Sequence, residues 1–136
     1  MEDWAGIFGS YLNSGIYLAA QGSDADIRDA ARSAGLELML IDLTGVKDKK
    51  GFLKKTAVGL GFPAYFGMNW DAFSDCLTDM SWRPAPGYVI LLKNHQSFAS
   101  KAPPDAHMSE SIFDSSAQYW KQKKTPFYII LHEKTS

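Results

Sequence analysis

The chain has 136 residues, 46% of them hydrophobic and 21% charged, and its 14 basic and 15 acidic side chains give a formal charge of -1. This length and composition predict one globular domain over residues 1–136 and exclude an intrinsically disordered protein. The near-neutral charge argues against the broad basic surface that nucleic-acid binding requires, so we expect no direct contact with nucleic acid.

Cysteine usage and the first residues indicate the compartment. Cys76 is the only cysteine, so no intrachain disulfide can form, which is typical of a reducing compartment. The start, Met1-Glu2-Asp3, lacks the basic and apolar regions of a secretory signal. The longest apolar runs, such as residues 88–92, are too short to span a bilayer. We therefore expect a cytoplasmic protein without membrane contact.

The first third of the chain predicts one strand and one helix. Residues 1–14 predict no more than a helix packed against the rest. Residues 15–21 have the apolar pattern of a strand, and residues 23–35 that of a helix. Ser23 is a suitable N-cap, and Gly35 is a suitable stop. The order is strand, then helix.

The middle of the chain predicts a buried strand and two helices. Residues 36–43 form a nearly continuous apolar run, as expected for a strand covered on both faces. Residues 48–61 and 69–80 predict amphipathic helices, the second with Asn69 as its N-cap. The residues of the first helix that we expect to point inward are Phe52, Leu53, Ala57, Val58 and Leu60.

The last third predicts two more strands around a helix. Residues 88–94 and 126–133 are apolar strands, residues 97–109 form mostly a loop, and residues 109–124 form a helix. Strands that alternate with helices predict an α/β fold, in which a small, mostly parallel sheet of three to four strands is flanked by helices.

The helix predicted over residues 69–80 carries an unusual row of carboxylates. Asp71, Asp75 and Asp79 follow one another at intervals of four residues, so like charges lie on one helix face and repel. No basic residue stands one turn from Asp71 or Asp75. Two interpretations stay open at this point: a solvated acidic face, or a surface that meets positive charge on a ligand or partner.

Other reactive side chains have simpler explanations. Cys76 falls on the apolar side of its helix, which indicates a core thiol. Asp42 ends a buried strand, and no glycine-rich phosphate loop accompanies it, so it is better explained as a turn residue. The three histidines share no metal-ligand spacing: His95, His107 and His132. We therefore assign no catalytic residue, metal ligand or cofactor.

Residues 63–80, PAYFGMNWDAFSDCLTDM, strongly resemble the signature segment of the barstar family, the intracellular inhibitors of barnase-like secreted ribonucleases. The order of predicted elements over about residues 36–133 is also similar to that family's fold. Residues 1–35 would then be an N-terminal β-α extension that adds a strand to the family's small parallel sheet.

The resemblance implies a binding role without enzyme activity. Members present an acidic helix that plugs the ribonuclease active site, where cationic side chains hold the RNA phosphate. By this resemblance, Asp71 and Asp75 pair with arginine and lysine of the nuclease, Asp75 is the deeper anchor, and Tyr65 lies against the catalytic histidine. The full set of implied partner-binding residues is Tyr65, Gly67, Asn69, Asp71, Ser74, Asp75, Thr78 and Asp79.

Three departures from the family pattern bear on the partner. Ser74 stands where the best-known members carry tryptophan, the segment KQKK at 121–124 replaces a second acidic patch, and the net charge is near neutral. The resemblance implies a barnase-like ribonuclease as the partner, and these departures leave open another toxin nuclease, for which this chain would be an immunity protein. Two alternatives stay open: a binding module for a basic partner that is not a nuclease, and a metal-dependent phosphohydrolase using Asp42, Asp71 and Asp75.

Overall fold

A four-stranded sheet in the order β1-β4-β3-β2, with every neighbouring pair parallel, forms the centre of the protein. The structure is a computed structural model, and it describes residues 3–20, 22–63 and 67–132. The strands are β1 Gly15–Ala19, β2 Glu37–Asp42, β3 Tyr88–Lys93 and β4 Phe127–His132. The predicted α/β fold is confirmed, and the sheet is entirely parallel.

Helices cover both faces of this sheet. They are α1 Trp4–Phe8, α2 Asp24–Ser33, α3 Lys49–Leu60, α4 Trp70–Leu77, α5 His95–Lys101 and α6 Pro103–Gln122, with a short 3-10 helix at Tyr11–Asn13. Helices α1 and α2 pack on one face, and α3 to α6 pack on the other. Within the described part of the chain, no helix combines the length and apolar character that crossing a membrane requires.

The two central strands are buried along nearly their whole length because both of their faces are covered. In β3, Ile90 and Leu92 belong to the core beneath α3 to α6, whereas Val89 and Leu91 belong to the core beneath α1 and α2. Alternating side chains of a strand point to opposite faces, so a strand between two helix layers must be apolar throughout. This confirms the interpretation of the apolar run in β3. The expectation that residues 36–43 form a strand covered on both faces is wrong, because β2 is an edge strand in which Met39 and Ile41 are buried but Leu40 is 42% exposed.

The connections between the strands run over opposite faces of the sheet. Helix α2 carries the chain from β1, at one edge, across the α1 side to β2 at the other edge. The connections from β2 to β3 and from β3 to β4 run through α3 to α6 on the opposite face. At the carboxyl ends of the strands, β4 therefore lies between β1, whose chain leaves over one face, and β3, whose chain leaves over the other.

The prediction of a loop over residues 97–109 is wrong. Helix α5 occupies the start of this stretch, and α6 begins at Pro103 after Ala102. The two prolines at 103 and 104 stand at the first two helical positions, where the missing backbone N–H is not needed. The proline pair therefore starts a helix, although the sequence pattern was interpreted as a break.

The inward face of α3 also differs from the prediction at one position. Val58 is 78% exposed, and Thr56 is buried instead. The hydroxyl of Thr56 donates to the carbonyls of Phe52 and Leu53 one turn earlier, so burial leaves it satisfied. Gly59 lies against β2, and a methyl group there would come within 2.8 Å of Ile41. Close packing of helix on strand, rather than hydrophobicity alone, sets this face.

The N-terminal residues pack against the sheet, as expected. Trp4 and Phe8 of α1 are buried, and the ring of Phe8 lies 4.9 Å from that of Tyr128 in β4. The predicted strand is present as β1, in register with β4 from Gly15 opposite Tyr128 to Ala19 opposite His132. The extension thus supplies the edge strand next to the central strand β4.

Candidate functional site

Helix α4 begins with a well-formed cap. Asn69 has extended backbone angles, and its side-chain oxygen accepts a hydrogen bond of 2.8 Å from the N–H of Ala72. The same side chain donates to the carbonyl of Gly67 at 3.2 Å, which ties the preceding turn to the helix. The predicted N-cap is confirmed. A side chain at Gly67 would crowd this amide, because its Cβ would lie 3.1 Å from the Asn69 nitrogen.

The helix has two chemically distinct faces. Phe73, Cys76 and Leu77 are buried, whereas Asp71 and Asp75 are exposed. Ser74, between the two aspartates, is half-buried. We call Asp71 and Asp75 the acidic face of α4. The amphipathic pattern places this face as predicted.

Aromatic packing holds the helix in place. The ring of Phe73 meets Phe113 of α6 at 5.4 Å and Phe52 of α3 at 5.6 Å. At the other end, the indole N–H of Trp120 donates a 2.8 Å hydrogen bond to the carbonyl of Leu77. These contacts hold α4 in one position, so its exposed face is pre-organised.

Helix α4 ends earlier than the predicted residue 80. Thr78 is its C-cap, with its hydroxyl donating to the carbonyl of Ser74 at 3.1 Å, and Met80 adopts a left-handed backbone with φ of 54° while buried. Burial of the Met80 side chain holds a conformation that a helix cannot continue through. Asp79 therefore projects from a turn, so the predicted row of three carboxylates on one helix face is wrong. Asp79 is exposed beside that face.

The acidic face carries unbalanced charge. Among the described residues, none of the ion pairs includes Asp71, Asp75 or Asp79. Arg83, which stands near Asp79 in sequence, pairs instead with Glu37 at 2.8 Å. Burial raises the pKa of the Cys76 thiol, and the charges of Asp79 and Asp75 raise it further. Cys76 therefore remains a protonated core thiol, which agrees with its assignment from sequence.

The structure brings most of the expected contact residues onto one short segment. Gly67 and Asn69 precede the acidic face, Ser74 interrupts it, and Thr78 and Asp79 follow it. Tyr65 lies outside the described residues, so its role stays a prediction.

The sequence did not predict that two features lie beside this segment. Met68, beside Gly67, is 40% exposed and offers an apolar contact. Because the indole of Trp120 bonds to Leu77 at the end of α4, the KQKK segment at 121–124, which follows Trp120, begins beside the last turn of α4. The exposure of Met68 depends on the fold of its turn. The proximity of α6 depends on packing between distant segments.

The residues proposed for a metal-dependent hydrolase do not form a ligand set. Asp42 accepts hydrogen bonds from Thr44 and Asn94 at the end of β2, away from α4. Over the ranges that the structure describes, no group of three or more His, Cys, Asp or Glu side chains is arranged to hold a metal ion. The phosphohydrolase hypothesis therefore lacks the carboxylate cluster that it needs.

Comparison with solved structures supports the fold. The chain is similar to the ORC2 protein of Aeropyrum pernix, solved as ADPNP-ADP complexes, with a TM-score of 0.54 and 11% identity. The match covers 89% of this chain and 35% of that one, so this chain spans about a third of its length. At this identity the likeness shows a shared α/β arrangement alone. No curated protein matches the chain.

The family comparison covers the segment that carries the site. The family model described as Barstar (barnase inhibitor) matches residues 36–132, which include β2, α3, the acidic face of α4 and everything up to the end of β4. The residues before 36, with α1, β1 and α2, lie outside the match. Since the matched region makes up more than half of the chain, this protein belongs to the barstar family of barnase inhibitors.

Proposed function

We propose that this protein inhibits a ribonuclease by placing the acidic face of α4 in the nuclease's cationic active site. The observation that carries the proposal is the pair of exposed aspartates, Asp71 and Asp75, without an ion-pair partner in the described chain, on a helix whose other face is firmly packed. The family supports inhibition in general terms. The protein then acts by occupying the site and catalyses nothing itself.

Electrostatics explains why carboxylates suit this task. A ribonuclease must hold the RNA phosphate with positively charged side chains, and a carboxylate presents charge of the same sign in their place. In the free inhibitor, Asp71 and Asp75 repel one another by about 0.2–0.5 kcal/mol, and pairing with partner cations removes that repulsion. Complementary fields also raise the rate of encounter. The acidic face therefore favours both association and specificity for a basic cleft.

The flanking residues define the rest of the contact. Gly67 and Asn69 hold the turn that presents the start of α4, and Thr78 closes its end. Ser74 is small, so a partner side chain can approach the helix between the two aspartates. Tyr65 and Asp79 would complete the surface, Tyr65 against the nuclease's catalytic histidine. The partner class is a small secreted ribonuclease of the barnase type or a related toxin nuclease.

A titration of nuclease activity tests the proposal. Small secreted ribonucleases from the same genome would be assayed with increasing amounts of this protein, alongside Asp75→Ala and Asp71→Ala. The control is Asp29→Ala, which removes an exposed carboxylate from α2 on the other side of the sheet. We expect inhibition to be complete near one equivalent, weakened by both α4 variants and unchanged by the control.

Two other outcomes would contradict the proposal. Equal inhibition by Asp75→Ala and the unmodified protein would refute the role of the acidic face. Full activity of every nuclease tested would refute ribonuclease inhibition and favour a basic partner of another kind. A protein captured from the native host then separates these cases according to whether it cleaves RNA.

A further inference from the structure

A cavity of about 570 Å³ opens at the carboxyl ends of the strands, apart from the α4 surface. Its volume falls in the range typical of small-molecule sites. The polar side chains that line it are Asp24, Asp42, Thr44, Lys93, Asn94 and His132. They come from the start of α2 and from the ends of β2, β3 and β4. We call it the edge cavity.

The position of the edge cavity follows from the crossovers. His132 ends β4, between β1, whose chain crosses over the α2 face, and β3, whose chain crosses over the opposite face. In open parallel sheets, this divergence leaves a crevice at the carboxyl edge, where ligands bind. The topology thus opens the cavity at the end of the central strand.

Asp42 is held as a charged acceptor on one side of the cavity. Its Oδ1 accepts hydrogen bonds from the hydroxyl of Thr44 at 2.6 Å, the N–H of Thr44 at 3.0 Å and the amide of Asn94 at 2.9 Å. The Thr44 hydroxyl, more than any other group, lowers the pKa of Asp42, and Asn94 adds to the effect. All three bonds go to one oxygen. In the described chain the second oxygen, Oδ2, is therefore left as an acceptor for a ligand.

Asp24, Lys93 and the buried His132 form the other side of the cavity. The two oxygens of Asp24 lie 2.9 Å from Nζ of Lys93 and 2.9 Å from Nε2 of His132. His132 is only 5% exposed. Its Nε2 lies close to Asp24 without the geometry of a hydrogen bond, and its Nδ1 has no hydrogen-bond partner among the described residues. Buried polar atoms normally have partners, so the unpaired Nδ1 of His132 indicates that a ligand supplies one.

The balance of charge limits what that ligand can be. Two carboxylates, Asp24 and Asp42, face one ammonium, Lys93, so a phosphate or other anion meets no net positive field. A metal ion is also disfavoured, because no group of three or more acidic, His or Cys side chains in the described ranges is suited to hold one. The mixture of acceptors and donors in this lining, with the Asp42 carboxylate on one side and the Lys93 ammonium on the other, suits an uncharged ligand that both donates and accepts hydrogen bonds. Hydroxyl groups have this property.

We propose that the edge cavity binds a small uncharged ligand with two adjacent hydroxyl groups, either a free sugar or the ribose of a nucleoside. One hydroxyl donates to Oδ2 of Asp42 and the other contacts the Lys93 and His132 side. Both sources present the same diol, and the recognition does not depend on the acidic face of α4. Binding in this cavity is therefore a function separate from inhibition.

Chemical-shift titration of the ¹⁵N-labelled protein tests the proposal with three probes. Adenosine and methyl glucoside present adjacent hydroxyls, whereas 2′-deoxyadenosine keeps the base but lacks one of them. We expect adenosine, methyl glucoside or both to shift the amides of residues 22–25, 42–44 and 93–94. We also expect 2′-deoxyadenosine to bind at least about tenfold more weakly than adenosine. Adenosine alone would identify a nucleoside ligand, and methyl glucoside alone a free sugar.

A matched pair of variants checks the role of Asp42. Asp42→Asn is expected to weaken binding of the active probe at least about tenfold, because a charged acceptor is lost. Asp26→Asn changes the same charge on an exposed residue of α2 outside the cavity and should leave binding unchanged. Neither variant should alter nuclease inhibition. No shift with either diol, equal binding of 2′-deoxyadenosine, shifts confined to other regions, or an unaffected Asp42→Asn would each overturn the proposal.

Discussion

Asp75 is expected to weaken the folded protein while strengthening its complex, and the variant Asp75→Ala separates these effects. The residue lies in the second half of α4, which ends at Leu77, where the helix dipole disfavours negative charge. It also repels Asp71 one turn earlier. We therefore expect Asp75→Ala to raise the stability of the free protein and to reduce inhibition.

The size of the stabilisation follows from three contributions. Removing the repulsion between Asp71 and Asp75 contributes about 0.2–0.5 kcal/mol. Removing the unfavourable interaction of the Asp75 charge with the helix dipole contributes about 0.3–1 kcal/mol, and the higher helix propensity of alanine contributes roughly 0.5 kcal/mol. Together they give about 1–2 kcal/mol, or a rise in Tm of about 3–7 °C for a domain of this size. Asp71→Ala loses the favourable dipole of the first turn, so its stability should change by less than about 0.5 kcal/mol.

Calorimetry and urea unfolding of the free protein measure these changes, and nuclease titration measures the loss of inhibition. If Asp75 pairs with a desolvated cation of the partner, the truncation should cost about 2–5 kcal/mol of binding free energy. High salt should shrink the difference in stability, since exposed charges are screened. A destabilised Asp75→Ala, or equal stabilisation by Asp71→Ala, would refute this account of the charge on α4.

Three further predictions concern packing and pH. Trp120→Phe should lower the free energy of unfolding by about 1–3 kcal/mol in urea titrations, because the buried carbonyl of Leu77 loses its donor; an unchanged midpoint would contradict this. Gly87→Ala should lower the free energy of unfolding by about 1–3 kcal/mol, because its methyl group would lie 2.7–2.9 Å from three neighbouring atoms. The control Gly9→Ala, with contacts at 3.4 Å, should be nearly neutral, and equal Tm values for the two variants would refute the steric argument. Burial lowers the pKa of His95, so its contribution to stability is present above about pH 6.5 and is lost as the pH falls below that value. His95→Gln should flatten the pH dependence of the free energy of unfolding in this range, and an unchanged pH dependence would exclude His95 as its source.

The sequence by itself determined the features that depend on neighbouring residues. Asn69 as the cap of α4, the buried side at Phe73 and Leu77, and the exposed Asp71 and Asp75 all follow from helical periodicity and capping chemistry. The buried strand β3 follows from its continuous apolar run, whereas the similar run in β2 formed a partly exposed edge strand. The resemblance of residues 63–80 to the barstar signature also belongs here, and the family match over residues 36–132 agrees with it.

Only the tertiary structure decided the features that depend on packing between distant segments. The proline pair at 103 starts α6 where Ala102 and Ala106 are buried in the core, and Met80 ends α4 early because its burial stabilises a left-handed residue. Likewise, Asp24, Asp42 and His132 come from three separate segments and share a cavity only because their parallel strands and α2 meet at one edge. The local sequence pattern does not predict such contacts between distant segments, because the free energy that stabilises them comes from packing that exists only after the sheet has formed.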